Sequence, residues 1–366
     1  ITHIAKSQRI TSVADFIASR YGKSASVAGA VAIIAVVGTV PYIALQLKAI
    51  SSSLEIIVFR EAGQVSRLGG STSLGDISLL VTVGLSAFAI AFGTRHVDAT
   101  EHQDGLMLAI AAESLVKLVA FIAVGVFVLF FMFDGWGDLI QKAREIPAAF
   151  SVLSTSPDPW FWTVTTLLST FAIFLLPRQF HVMVVENRNS RDLRQVAWQF
   201  PIYLVAINVF VLPIALAGLV VFPGTDVDRD FMVLSLPLSA NAGGIALVAF
   251  IGALSAATAM VIVESVACAI MISNDLVMPF MLRRTNLRPK QIMEGQEPTS
   301  RAGSDMVETV LLIRRVAVVV ILFLGFAYYR SSEKAALASI GLLSFAAVAQ
   351  LVPAFFLGLF WSRANA

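Results

Sequence analysis

The sequence predicts an all-α polytopic membrane protein, and three observations lead there. The chain has 366 residues, 57% hydrophobic and only 14% charged, with a mean hydropathy of +0.82. A soluble domain carries about a quarter charged residues, so water could not cover this much apolar surface. The apolar residues also fall in long continuous runs rather than alternating, which favours helices over a barrel. Finally, Lys and Arg are distributed unevenly between the connecting segments.

A spanning helix needs about 20 mostly apolar residues. Eight stretches qualify in order: 26–57, 74–94, 105–133, 158–182, 196–222, 242–278, 309–328 and 336–361. Several exceed the minimum, which implies tilt or an extension into water. Of the 26 Lys and Arg, Lys48, Lys117 and Arg178 lie deep in spans and are set aside, while Arg314 and Arg315, near the cytoplasmic edge of 309–328, count with the inside. With the N-terminus placed in the cytoplasm, 16 of the others fall on the inside and 7 on the outside. Positive charge stays inside, so both ends are expected to be cytoplasmic. The longest cytoplasmic connection then contains residues 283–303, with Gln291 as its natural accessibility probe.

Composition also excludes classes. A net charge of +2 without a basic block gives no footprint for nucleic acid. One cysteine, Cys268, excludes an internal disulfide framework and a multi-cysteine zinc site. The four histidines, His3, His96, His102 and His181, show no metal-ligand spacing. The chain starts at Ile1 inside a polar run and stops just past an apolar span, which reads as a fragment of a longer polypeptide.

Ionisable groups inside spans are costly and face a cavity or a partner. Glu113 and Lys117 stand at i, i+4 with the acid N-terminal, the favourable order for an ion pair on one helix. They are either a neutralised structural pair or part of a gate. Lys48 and Glu55 lie two helical turns apart, about 10 Å by helix rise, too far to pair directly. Tyr42, Gln46 and Ser53 occupy the other side of that helix, which suggests burial within a bundle; Gln46 either reads a polar solute or bonds a neighbouring helix. In FLLPRQFHVMVVEN, Pro177 removes a backbone donor, and Arg178, Gln179 and His181 follow at once. Polar groups beside a helix break can build a solute site; the alternative is a helix end with Arg178 snorkelling to the surface. In span 242–278, Ser255, Thr258 and Ser265 share one quadrant. They could hold a small cation or bond their own preceding carbonyls. Glu264 points away from that stripe and needs another partner. The pair Gly243-Gly244 would permit close helix contact.

Five segments in order resemble the sodium:solute symporter family. QRITSVADFIASRYGKS is similar to its cytoplasmic "[ST]-x-x-D-[FY]" stretch, here Ser12 to Tyr21, and VPYIALQLKAISSSLEII to the helix after it. LLPRQFH occupies the place of the family's "GQPH" segment, MISNDLVMPFM that of a later helix end, and SFAAVAQLVPAFFLGLFWSRANA that of a "Q-x-x-P" ending. The resemblance covers essentially residues 1–366 as one symporter-like transmembrane domain. It implies a LeuT-like inverted-repeat fold, partial here because the first two core helices are absent, in a bacterial inner membrane. It implies substrate contacts at Gln46, Gln179 and His181, and half of a sodium site at Ser255. Ala256 lacks the second hydroxyl of the family pattern, with Thr258 as a substitute one turn along. The coupling ion is therefore sodium or a proton, with the carboxylates Glu55, Glu113 and Glu264 as protonatable sites; no cofactor is implied.

A narrower resemblance is to the membrane domains of CbrA-type hybrid sensor histidine kinases, carried by LLPRQFHVMVVEN, ATAMVIVESVACAIMISNDLVMPFMLRR and ASIGLLSFAAVAQLVPAFFLGLFW. It implies uptake of a small polar solute, an amino acid with histidine among them, and a fused kinase with its response regulator as partners. No ATP-binding or phosphoacceptor segment occurs in these residues, so enzymatic activity would belong to the full-length polypeptide. A freestanding symporter of a small polar metabolite and a sensor without transport remain as alternatives.

Overall fold

A computed structural model describes residues 1–59, 77–93, 104–156, 158–187, 190–224, 227–284, 300–332 and 335–361. The described residues are helical throughout, without strands. Five helices are long and apolar enough to cross a membrane, and seven spans result when two sharply bent pairs are each taken as one; Ile77–Gly93 is a shorter apolar helix of 17 residues. Together these correspond in order to the eight apolar runs. Gln291 lies outside the described residues, as do 8 of the 23 cationic residues that set the orientation.

The N-terminal part comprises α1 (Thr2–Gln8), α2 (Val13–Arg20), α3 (Ala25–Phe59), α4 (Ile77–Gly93) and α5 (Asp104–Phe127), which runs on as a π-turn over Val128–Met132. Two short helices, α6 (Trp136–Glu145) and α7 (Pro147–Ser154), lead to the broken span α8 (Pro159–Leu175) and α9 (Pro177–Phe180). Next come α10 (Ser190–Asn208), α11 (Val211–Val221) and α12 (Met232–Ser239). The long α13 (Gly243–Met271) passes through a π-segment into α14 (Met278–Arg284). The last spans are α15 (Ser300–Ser331) and the bent pair α16 (Leu337–Ala349) and α17 (Val352–Phe360).

Helix α13 joins two packed regions. Its first half, through Ala246 and Ala249, packs with Val124 of α5, Leu139 of α6, Leu216 of α11 and Leu236 of α12. Its second half, from Ala257 to Met271, packs with Ile43 and Leu47 of α3, Ile321 of α15 and Phe355 of α17. Between hydrocarbon helices the driving force is close van der Waals packing, so interfaces select small residues. At Gly252 a Cβ would stand only 2.4 Å from the Ala120 methyl of α5. Gly243 and Gly244, expected to provide such a contact, face open space instead. They sit at the first turn of α13, beyond the depth at which α5 crosses.

The short α2 is fully packed although it spans nothing. Phe16 lies between the two broken spans, 5.6 Å from Phe180 of α9 and 5.1 Å from Phe355 of α17 by ring centroids. Arg20 and Tyr21 donate to the carbonyls of Gly358 and Ala354, at 2.8 and 3.0 Å. Backbone groups left open near a helix bend in lipid need partners of this kind. The start of α2 is a capping box: Ser12 Oγ accepts from the Asp15 N–H at 2.9 Å, and Asp15 accepts from the Thr11 N–H at 3.1 Å. Burial raises the Asp15 pKa above the ordinary carboxylate value, offset in part by the Thr11 N–H and by Lys23. The same Ser12 hydroxyl donates to Asp275 Oδ2 at 2.7 Å, a carboxylate only 8% exposed. Ser12→Ala removes the cap and orphans a buried acceptor at once. We expect it to destabilise the protein by about 2–4 kcal/mol, read as a lower midpoint in thermal unfolding in detergent. Ser12→Thr, which keeps the hydroxyl, should retain most of the stability.

Candidate functional site

The polar interior is organised by the break after α8. Leu176 is extended (φ −63°, ψ 130°), Pro177 starts the next half-helix, and the two halves diverge by 54°. Pro177 lacks the N–H that would continue the ladder, and proline disfavours helical backbone at the residue before it. The bend keeps Pro177 and Arg178 buried inside the bundle, so Arg178 does not snorkel to a surface; it is 8% exposed.

Arg178 meets residues from two other spans. The Tyr42 hydroxyl of α3 lies near its guanidinium, and Glu264 of α13 lies near both that charge and the Arg178 backbone. Glu264 is 1% exposed. The Thr39 hydroxyl lies 2.8 Å from Ala35 O and 3.3 Å from Glu264 Oε1. A hydroxyl has one proton, and the shorter contact takes it. Glu264 Oε2 and Arg178 Nε have no hydrogen-bond partner among the described residues. Buried polar atoms are normally satisfied, so this is a spot where a solute, water or a rearranged side chain would be accommodated.

Sequence reasoning had singled out Arg178 and Glu264 separately; the fold brings them together. It missed Thr39 and Met260. Tyr42 and Gln46 both approach the Met260 thioether, at 3.3 and 3.5 Å, and so form a layer one turn above Glu264 on α13. Gln179 is half-buried on the same half-helix as Arg178. His181 points elsewhere: its Nε2 lies 3.4 Å from Glu186 Oε1, both side chains buried, in the π-turn His181–Val185 that follows α9. The structure thus divides Gln46, Gln179 and His181 between two places.

Thr258 donates to its own Leu254 carbonyl at 2.8 Å, with the Ser255 carbonyl at 3.1 Å, and Ser265 donates to Ile262 O at 2.9 Å. Thr258 and Ser265 therefore spend their protons on their own helix. That does not bar lone pairs from a cation, but the stripe carries no side-chain negative charge. Lys117 pairs with Glu113 at 3.2 Å along one face of α5, as the i, i+4 spacing implies. Lys48 donates to the Ala335 carbonyl at 2.7 Å, between α15 and α16, and Glu55 is half-buried about two turns further along α3.

Above the Tyr42–Gln46–Met260 layer lies a cavity of ≈ 280 Å³, walled by α3, α5, α10, α12, α13 and the start of α16. Its walls are mainly apolar, with Ser53, Lys117 and Asp230 as the polar lining residues. Asp230 is tied in place by the Leu337 N–H, which donates to Oδ2 at 2.7 Å and so caps α16. No group of three or more metal-ligating side chains occurs among the described residues.

Fold and site together define an all-α, multi-pass membrane protein with a broken span whose charges are buried in the bundle. The chain is 24% identical over 236 residues, 63% of its length, to the uncharacterized symporter YhjB of Bacillus subtilis (strain 168). It is 24% identical over 229 residues, 60% of its length, to the uncharacterized symporter YodF of the same organism. The matches cover 44% and 40% of those proteins, so the chain spans less than half the length of the relatives it matches. No family model and no solved structure matches the chain.

Proposed function

We propose that this domain carries a small amino-acid-like solute across a bacterial inner membrane as a proton-coupled symporter, within a LeuT-like arrangement of helices. The observation that carries the reading is the break at Pro177, which lodges Arg178 beside Glu264, Tyr42 and Thr39 below a cavity. Discontinuous helices near the bilayer midplane are where transporters place solute and coupling ion. The likeness to two symporters supports the same reading.

The choice of proton over sodium rests on two features. Sodium needs several oxygen ligands, and the stripe at Ser255 and Thr258 offers only neutral hydroxyls, with no carboxylate among them. Lys117, a positive charge, lines the same cavity as Ala253 and Ala256 beside that stripe, and a neighbouring ammonium opposes a second cation. Glu264, by contrast, has the surroundings of a carboxyl that can gain and lose a proton. The test is uptake of a radiolabelled amino-acid mixture by the full-length polypeptide in liposomes. Replacing sodium by choline at fixed pH is expected to leave uptake unchanged, and an inwardly directed proton gradient to raise it about tenfold. Saturable sodium dependence lost in Ser255→Ala would refute proton coupling.

Attachment to a histidine kinase is a second part of the proposal, supported by the likeness of the PRQFH segment, now seen as the half-helix carrying Arg178. Solute would bias one conformation of the bundle, and the kinase would read that bias. Autophosphorylation of the full-length polypeptide in vesicles should then change with added amino acid; a full-length reading frame without a kinase would end this part.

A further inference from the structure

The cavity between α5, α12 and α13 has a chemistry that neither the broken span nor the sequence motifs assign. Lys117 lies on one wall, and its ammonium makes one contact among the described residues, to Glu113 Oε1 at 3.2 Å. An ammonium carries three donors, so two remain for a ligand. Glu113, 5% exposed on the turn before, holds Lys117 in position. Asp230 lines the same cavity from the segment before α12, with Oδ2 fixed by Leu337 N–H and its other carboxylate oxygen making no hydrogen bond among the described residues. The rest of the lining is mainly hydrocarbon and aromatic, with Phe121, Phe250 and Leu234.

Charge counting narrows the ligand. Glu113, Lys117 and Asp230 together carry a formal −1, which disfavours a simple anion. A simple cation would satisfy Asp230 and be repelled by Lys117. A zwitterion satisfies both, with its carboxylate on Lys117 and its ammonium on Asp230, and the apolar walls then bury its body. A volume of ≈ 280 Å³ lies just below the range of drug-sized pockets, which suits a single metabolite. We infer that this cavity is a binding site for a zwitterionic amino acid with an apolar side chain, held by Lys117 at its carboxylate and by Asp230 at its ammonium. The inference deepens the transport reading and rests on it for the route by which the ligand moves on, but the binding itself does not need transport.

The test is equilibrium binding of radiolabelled L-leucine to the full-length protein in lipid nanodiscs, with competition by L-leucinamide, which lacks the carboxylate, and isocaproate, which lacks the amine. In the wild type both competitors are expected to be at least about tenfold weaker than leucine, the loss of one charge-assisted hydrogen bond. Lys117→Gln should weaken leucine about tenfold and leave leucinamide unchanged; Asp230→Asn, which can still accept from Leu337, should weaken leucine and leave isocaproate unchanged. Because Lys117→Gln strands Glu113, the Glu113→Gln, Lys117→Gln double variant repeats the measurement with no buried lone charge. Histidine should compete less well than leucine, since an imidazole gains little from these walls. Leucinamide or isocaproate competing as well as leucine in the wild type, or no leucine binding at all, would overturn the inference without reference to any variant. Leucine binding with these selectivities but no uptake would remove the transport reading and leave this one standing. Proton-driven uptake indifferent to Lys117 and Asp230 would do the reverse.

Discussion

Arg178→Gln is expected to lower proton-driven amino-acid uptake on the order of a hundredfold in a protein that still inserts and purifies normally. Arg178 is buried with Glu264 and Tyr42 around it. Losing the charge-assisted interactions of a guanidinium costs up to about 3 kcal/mol, and each 1.4 kcal/mol is about tenfold. Without the guanidinium, Glu264 loses the positive charge beside it, and proton release during the cycle is expected to be impaired. Glu264→Gln should have the same effect on accumulation for a different reason, since the amide cannot carry the proton at all. It mimics the neutral acid, however, and should retain solute counterflow without a proton gradient. The double variant should be no worse than the worse single one, because residues acting as a unit are not additive. Both quantities can be read in proteoliposomes. Full proton-driven accumulation in Glu264→Gln would eliminate Glu264 as the coupling group.

Gly252→Val is expected to prevent correct assembly of the bundle, measured as loss of the monodisperse species after solubilisation. The position admits no side chain, since even a Cβ would lie 2.4 Å from Ala120 Cβ and 3.8 Å from Lys117 Cα. Overpacking by single methylenes already costs about 1–3 kcal/mol, and valine adds three carbons between two rigid helices. Gly252→Ala should assemble with reduced stability by about 1–3 kcal/mol and displace the Lys117 backbone. Gly244→Ala, eight residues earlier and facing open space, should be tolerated. Equal behaviour of the two alanine variants would mean that α5 and α13 do not cross where described.

The span pattern was legible because it follows from solvent chemistry alone. Backbone groups in lipid must bond within the segment, so apolar length marks each helix without knowledge of its neighbours. The same local reasoning found the break, since Pro177 forbids the next hydrogen bond wherever the helix sits, and it found Glu113–Lys117, whose spacing on one helix sets their geometry. The serine and threonine back-bonds of α13 were likewise open to reading as one of two alternatives, because both partners belong to one turn.

What lies between helices was not legible. Glu264 visibly needed a partner, but nothing local to α13 could say that it stands 86 positions earlier in the chain at Arg178, or that Thr39 completes the set. Gly243-Gly244 looked like the contact and Gly252 is the contact, because a crossing point depends on where the partner helix passes and not on the glycines themselves. His181 follows Arg178 by three residues, yet the turn after α9 directs it to Glu186 rather than to Glu264. Asp230, in a segment that reads as an ordinary loop, caps a helix more than a hundred residues later and closes the cavity. The sequence by itself determined a multi-pass helical membrane protein, its spans and the sharper of its two breaks, at Pro177, because hydrophobicity and proline act within a segment. Only the tertiary structure decided which buried charges meet and which glycine is filled by a neighbour, because those follow from the angles and depths at which separate helices cross.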